Sequence, residues 1–168
     1  MSNDRLDNIS PPILQHGQIV PAFVLPGPDG MPHGPWDYKQ REHLLLLTLQ
    51  NPHSNESRGL LRAFAQRYKE FREEECVLLV ITAVPVITNT ETQAALHLPF
   101  ALLADPDGKV IAQYTHWDEA SRTFSPSITL ADRYGAVYEQ WIASHEATLP
   151  SLDDLLEILR HLNRLCTL

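Results

Sequence analysis

The sequence predicts an α/β fold, a three-layer sandwich in which a central mixed sheet carries helices on both faces. Two apolar runs, residues 44–49 and Cys76–Thr82, are shorter than typical helices and apolar at nearly every position, which is typical of strands buried on both faces. A stretch with helical spacing separates them, so these two strands are predicted to be parallel. Later strand-like segments joined by a turn at 132–135 predict an antiparallel hairpin at the edge of the sheet.

The chain is predicted to form one domain, because 168 residues can enclose one sizeable core. We expect residues 1–16 to be a flexible tail and residues 17–168 to be the folded domain. Within the domain, residues 20–26 are predicted to be extended, 27–30 to turn, and 31–38 to hold a second short extended piece.

A long helix is predicted after the first buried strand. Its apolar residues recur at helical spacing, so that one face of the helix is buried. They are Leu60, Leu61, Phe64, Tyr68 and Phe71. The loop before it supplies two candidate N-cap residues, Ser54 and Asn55, since short polar side chains accept hydrogen bonds from the free N–H groups of a first turn.

The second half of the chain is predicted to continue with further strands and helices. In chain order these are a helix at 88–96, an extended segment at 99–104, a helix at 109–117 and a hairpin of Ser127–Ala131 with 136–143. Ser151 is expected to cap a final amphipathic helix, because Asp154 stands three residues later in capping-box position.

The composition is that of an ordinary globular protein, with 43% hydrophobic and 20% charged residues. The formal net charge of −8 argues against nucleic acid or an anionic membrane as a partner, because either would need a basic face. No stretch has the pattern of a signal peptide or the length of a membrane span. We therefore expect a cytoplasmic protein that carries no cofactor.

Two serines occupy the loop between the first buried strand and the long helix, as Ser54-x-x-Ser57. A strand followed by C-x-x-C and a helix is the arrangement of thioredoxin-type redox proteins. A hydroxyl forms no disulfide and has no thiolate chemistry near neutral pH. The loop therefore has the redox arrangement without the redox side chains.

Three stretches resemble, in order and spacing, the peroxiredoxin branch of the thioredoxin-like superfamily, which includes alkyl hydroperoxide reductases and thiol-specific antioxidant proteins. They are 21–26 with the Asp29-Gly30 turn, 103–110, and 125–135. The resemblance extends from about residue 17 to residue 162. It implies a thioredoxin-like sandwich and an antioxidant oxidoreductase activity.

The catalytic positions of that family differ in this chain. The antioxidant branch has the pattern P-x-x-x-T-x-x-C, which places Gln50 at the proline, Ser54 at the threonine and Ser57 at the cysteine. No arginine of this chain aligns with the family's peroxide-orienting arginine. Arg122 is close to that position in sequence but does not align with it. By resemblance, Pro126 stands at the cis-proline position that faces the active-site loop of thioredoxins.

Two thiols remain as candidates for redox chemistry. Cys76 opens a core strand directly after three glutamates, and both burial and nearby carboxylates raise the pKa of a thiol. Cys166 lies near the C-terminus and is either an incidental tail cysteine or a thiol available for an intermolecular disulfide.

The start of the long helix is also a candidate ligand site. A helix N-terminus attracts anions, and His53, Asn55 and Arg58 would line it; the alternative is that the two serines merely cap the helix. The eight histidines show no metal-binding spacing, so no metal site is predicted. No G-x-S-x-G elbow supports a hydrolase.

Two hypotheses follow. The first is a peroxiredoxin-like protein without redox activity that acts as a binding or regulatory module for a protein or a small anionic ligand. The second is an antioxidant oxidoreductase, a thiol peroxidase or disulfide reductase, that uses Cys76, Cys166 or a partner's thiol. A homodimer through an edge strand or the flat loop face is open in either case.

Overall fold

The computed structural model describes residues 9–166 of the chain. The strands are β1 (Ile9–Ser10), β2 (Leu25–Pro26), β3 (Pro32–His33), β4 (His43–Leu49), β5 (Cys76–Thr82), β6 (Ala101–Ala104), β7 (Trp117–Asp118), β8 (Thr123–Phe124), β9 (Ser127–Ala131) and β10 (Val137–Ala143). The α-helices are α1 (Asn55–Glu73), α2 (Val86–Leu96), α3 (Ile111–Tyr114) and α4 (Leu152–Cys166). Two short 3-10 turns lie at Pro35–Asp37 and Glu146–Thr148.

Six strands form the central sheet in the order β1-β10-β9-β4-β5-β6. Strands β4, β5 and β6 are parallel. Strand β9 pairs antiparallel with β4, and β10 pairs antiparallel with β9 to complete the hairpin. This mixed sheet with an α/β/α layering confirms the predicted fold class. The two parallel runs are buried along their whole length, as the sequence predicted.

A hydrophobic core lies on each face of the sheet. On one face, α1 and α4 cover the odd-numbered residues of β4; on the other, α3 and the N-terminal segment cover its even-numbered leucines. The core beneath α1 and α4 is called the first core. The apolar face of α4 packs into it, and the Ser151 hydroxyl accepts from the Asp154 N–H at 3.1 Å, as the sequence predicted. Alternation along β4 therefore fixes which helix lies on which face.

Residues 9–16, which the sequence placed in a flexible tail, pack against the sheet. Strand β1 pairs with β10, with Ile9 opposite Ala143. Leu14 is buried, and the Gln140 side-chain oxygen accepts from its N–H at 3.0 Å. The remaining part of that tail, residues 1–8, lies outside the described residues. Among residues 9–166, no helix combines the length and apolarity needed to cross a bilayer.

The predicted helix at 109–117 was wrong over most of its length. Only α3 forms, because the Asp105 carboxylate accepts the N–H groups of Val110 and Ile111 and Thr115 is extended. Trp117 instead enters the hairpin of β7 and β8, which the sequence did not predict. The predicted extended piece at 31–38 is β3 followed by a 3-10 turn, and α2 begins two residues earlier than predicted.

The Trp117 ring fixes the turn before α3. It stacks on Phe124 with ring centroids 5.7 Å apart and lies over Gly108, where a Cβ would overlap the indole. Gly108 also has a φ of +72°, a conformation that side chains disfavour. Gly30 has a similar φ of +76° with no atom near its missing Cβ.

We expect Gly108→Ala to lower the free energy of unfolding by about 2–4 kcal/mol. The added Cβ would overlap the Trp117 ring, and an alanine would also be strained at this positive φ. Gly30→Ala is the matched control and should cost about 1–2 kcal/mol from strain alone. Urea unfolding followed by circular dichroism measures both. Equal losses in the two variants would show that the Trp117 contact does not stabilise the turn.

Candidate functional site

The two serines of the sequence motif lie at the carboxyl end of β4, where the chain leaves the sheet and enters α1. Two contacts tie this end to the segment before β9. The Thr48 and Ser127 hydroxyls are hydrogen-bonded at 2.8 Å in the buried interior. The Phe124 N–H donates to the Gln50 side-chain oxygen at 2.7 Å. The loop 50–54 is thereby held against the segment 123–127.

Ser54 caps α1, as one of the two sequence candidates predicted. Its backbone is extended, and its hydroxyl accepts from the Ser57 N–H at 3.1 Å. The Ser54 carbonyl accepts from the Arg58 N–H at 2.9 Å, which begins the helix. The role of Ser54 in this structure is therefore to satisfy donors of the first turn.

Ser57 is buried and bound to a carboxylate. Its side chain has no exposed surface, and its hydroxyl donates to Glu146 Oε1 at 2.7 Å. Glu146 begins the 3-10 turn Glu146–Thr148 that follows β10, so the contact joins residues 89 positions apart. The sequence analysis missed Glu146, because no local pattern marks a partner that only the sheet topology brings to α1.

The proposed ligand residues lie around the same helix end but do not converge on one point. His53 and Asn55 are exposed and Arg58 is half-buried. The His53 ring lies 3.4 Å from the Thr92 hydroxyl of α2. Glu56, also in the first turn of α1, adds a negative charge to this end of the helix. The anion site at His53, Asn55 and Arg58 stays a prediction.

Pro126 does not have the peptide geometry that the resemblance implied. It is buried directly before β9, but its peptide bond is trans, as are all described peptide bonds. Its carbonyl accepts from the Ala143 N–H at 3.0 Å, which continues the antiparallel pairing of β9 with β10. Pro126 therefore lies beside the serine loop and begins the hydrogen-bonded pairing of β9 with β10.

Cys76 is far from the serines. It pairs with His43 at the opposite end of the parallel strands, and Leu49 lies six positions further along β4, about 20 Å along a strand. The thiol is fully buried, and this burial raises its pKa well above the usual range. The side chain of Cys166 lies outside the described residues; the preceding turn of α4 reaches the same far end, where Asn163 binds His43 at 2.8 Å.

The best-formed cavities among the described residues lie away from the serines. Neither Ser54 nor Ser57 lines any of the three. Within the described range, no three residues among histidine, cysteine, aspartate and glutamate converge as metal ligands. The geometry supports a closed helix cap held by a carboxylate.

Several solved structures with the same fold are peroxiredoxins. Peroxidoxin BcpB from Mycobacterium tuberculosis matches with a TM-score of 0.79 at 20% identity, covering 88% of this chain and 97% of that one. The reduced 2-Cys peroxiredoxin of Plasmodium vivax matches with a TM-score of 0.78 at 17% identity, covering 91% and 99%. Peroxiredoxin Q from Xanthomonas campestris matches with a TM-score of 0.73 at 14% identity, covering 89% and 97%.

A comparison with curated protein sequences finds no match. The sequence profile of the AhpC/TSA family, in contrast, matches residues 16–140, which include β4, the serine loop, α1 and the strand β9. Because this profile matches most of the chain, the chain belongs to the AhpC/TSA family, and its mixed sheet has the architecture of the peroxiredoxins.

Proposed function

We propose that this member of the AhpC/TSA family does not reduce peroxides and acts instead as a binding or regulatory module. The observation that carries the proposal is Ser57, which stands at the position of the family's peroxide-attacking cysteine by resemblance. It is buried and its hydroxyl is bound to Glu146 at 2.7 Å. This position therefore offers neither a thiolate nor access for a peroxide.

The chemistry explains why a serine does not substitute there. A thiolate that attacks a peroxide oxygen breaks the O–O bond, becomes a sulfenic acid and releases water or an alcohol. A serine hydroxyl is far less acidic than a thiol and has no corresponding oxidised states. The neighbouring carboxylate further opposes any negative charge at residue 57.

The alternative activity would use a remaining thiol. Cys76 is fully buried, its pKa is raised by that burial, and it lies at the end of the sheet opposite to Pro126. Solvent does not reach this thiol, so a peroxide could contact it only if the surrounding side chains moved. These features favour a structural role for Cys76 and leave Cys166 or a partner's thiol for the oxidoreductase hypothesis.

We expect the unmodified protein to consume hydrogen peroxide with dithiothreitol at the background rate of the reagents. The measurement is peroxide loss over time, and Cys76→Ser with Cys166→Ser is the matched control. A clear rate that disappears in the double variant would contradict the proposal and establish the oxidoreductase. A rate that persists in the double variant would also contradict it, because chemistry independent of both thiols would then be present.

A second experiment isolates the effect of Glu146. In the background without Cys76 and Cys166, Ser57→Cys should give a poorly reactive thiol, because the Glu146 carboxylate raises the pKa of that thiol. Adding Glu146→Gln should lower this pKa by about one unit, which raises the thiolate fraction near neutral pH about tenfold.

The ultraviolet absorbance of the thiolate, followed as a function of pH, gives both pKa values without any reagent having to enter the buried site. Glu42→Gln, which removes a carboxylate that binds Arg72 at a distant position, controls for overall charge. Identical profiles with and without Glu146→Gln would show that the carboxylate does not control this position.

For the binding role, we propose a small anion or a partner protein at His53, Asn55 and Arg58, in a cytoplasmic protein that is a monomer or a homodimer. Two N–H groups of the first turn, those of Asn55 and Glu56, have no acceptor in the described part of the chain. These donors and the Arg58 guanidinium support the anion.

We expect millimolar sulfate to shift the amide resonances of residues 55–59 in a nitrogen–proton correlation spectrum, and Arg58→Gln to weaken the effect. Arg62→Gln, one turn further along α1, is the control for loss of charge. An unchanged spectrum at millimolar sulfate would rule out the anion and leave the partner protein.

A further inference from the structure

A groove runs between β10 and α4 on the face of the sheet that carries the first core. Its larger cavity, about 620 Å³, lies between β10, the turn Glu146–Thr148 and the start of α4. A second cavity of about 470 Å³ continues along α4. Glu139, Asp154 and Ile158 line both cavities, so the two form one continuous groove.

The groove combines an apolar floor with an acidic rim. The floor is apolar because β10 turns Trp141 toward α4, where Leu149 and Ile158 also lie. Three carboxylates stand around the middle of the groove, those of Glu139, Asp154 and Glu157. Each of the two cavities has a volume within the range of about 300–1,000 Å³ that is usual for small-molecule sites.

The three carboxylates are unpaired within residues 9–166. No hydrogen bond or ion pair joins the side chain of Glu139, Asp154 or Glu157 to another described residue. Glu139 projects from β10, and partial desolvation raises the pKa of its carboxyl. The three side chains are exposed and line one groove, so together they place a negative potential over it, which favours a positive ligand.

We propose that this groove binds an organic ammonium ion with an apolar body. The ammonium group would lie between Glu139 and Asp154, which both cavities share, and the apolar body would pack on Trp141 and Ile158. An indole face also attracts a cation within about 6 Å of its centroid. At the far end the groove reaches His161 and Arg164, beyond the pair of carboxylates that both cavities share. One pair of carboxylates beside an apolar floor suits a compact ligand with a single ammonium group.

The site extends the binding role proposed above and is separate from the serine loop. The two are nonetheless neighbours, because the turn Glu146–Thr148 contributes Glu146 to Ser57 and Thr148 to the cavity wall. A ligand in the groove therefore contacts the element that holds the helix cap of α1.

The test is a titration of the full chain with phenethylammonium, followed in nitrogen–proton correlation spectra. We expect shifts of the amides at 139–143 and 147–158 with millimolar affinity, and Glu139→Gln should raise the Kd by roughly threefold or more. Glu91→Gln, which removes an exposed carboxylate of α2, is the control and should leave the Kd unchanged. Phenylpropionate, of similar shape and opposite charge, should produce no shifts.

The other outcomes overturn the inference. Equal shifts with phenylpropionate would show apolar binding without charge recognition. Shifts that appear only after deletion of residues 1–8 would assign the groove to the chain's own amino terminus, and shifts produced only by a lysine-rich peptide would assign it to a protein partner. None of these results depends on peroxide consumption, so this inference and the loss of peroxidase activity can fail separately.

Discussion

The complete burial of β4 is the constraint on which the rest of the structure depends. None of its seven residues reaches solvent, so both of its faces need a covering layer. Its two polar side chains also need partners inside the protein. Thr48 finds the Ser127 hydroxyl of β9, and His43 finds Asn163 of α4. The strand thereby fixes the hairpin beside it and the position of the last helix.

The same constraint decides where a functional group can stand. Because β4 is buried along its whole length, the chain can approach the surface only before and after this strand. After its carboxyl end the chain enters α1. The helix N-terminus there favours negative charge, which suits a thiolate. With serine at residue 57, that field acts on a group that stays neutral, and the nearby negative charge comes instead from Glu146.

The sequence was sufficient for the parts of the fold that local patterns encode. The buried strands, α1, the β9–β10 hairpin and the Ser151 cap each follow from the spacing of apolar residues or from turn chemistry. The helix at 109–117 was overpredicted because its apolar spacing also fits a hairpin in which Trp117 packs on Phe124. Position alone left Ser54 and Asn55 as candidate caps, and the structure selects Ser54. The Ser57–Glu146 contact was not, since nothing near residue 146 indicates which element the sheet will bring beside it.

Replacing sulfur by oxygen at residue 57 also changes what the position can hold in place. A hydroxyl that donates to a carboxylate forms one of the stronger hydrogen bonds in proteins, whereas a thiol is a weak donor. Ser57 can therefore anchor the turn Glu146–Thr148 in a way that a cysteine cannot. That turn forms one wall of the groove beside α4. A hydroxyl at residue 57 therefore helps to hold one wall of this cavity in place. This is the physical reason that the proposed loss of redox chemistry and the proposed binding role are compatible in this fold.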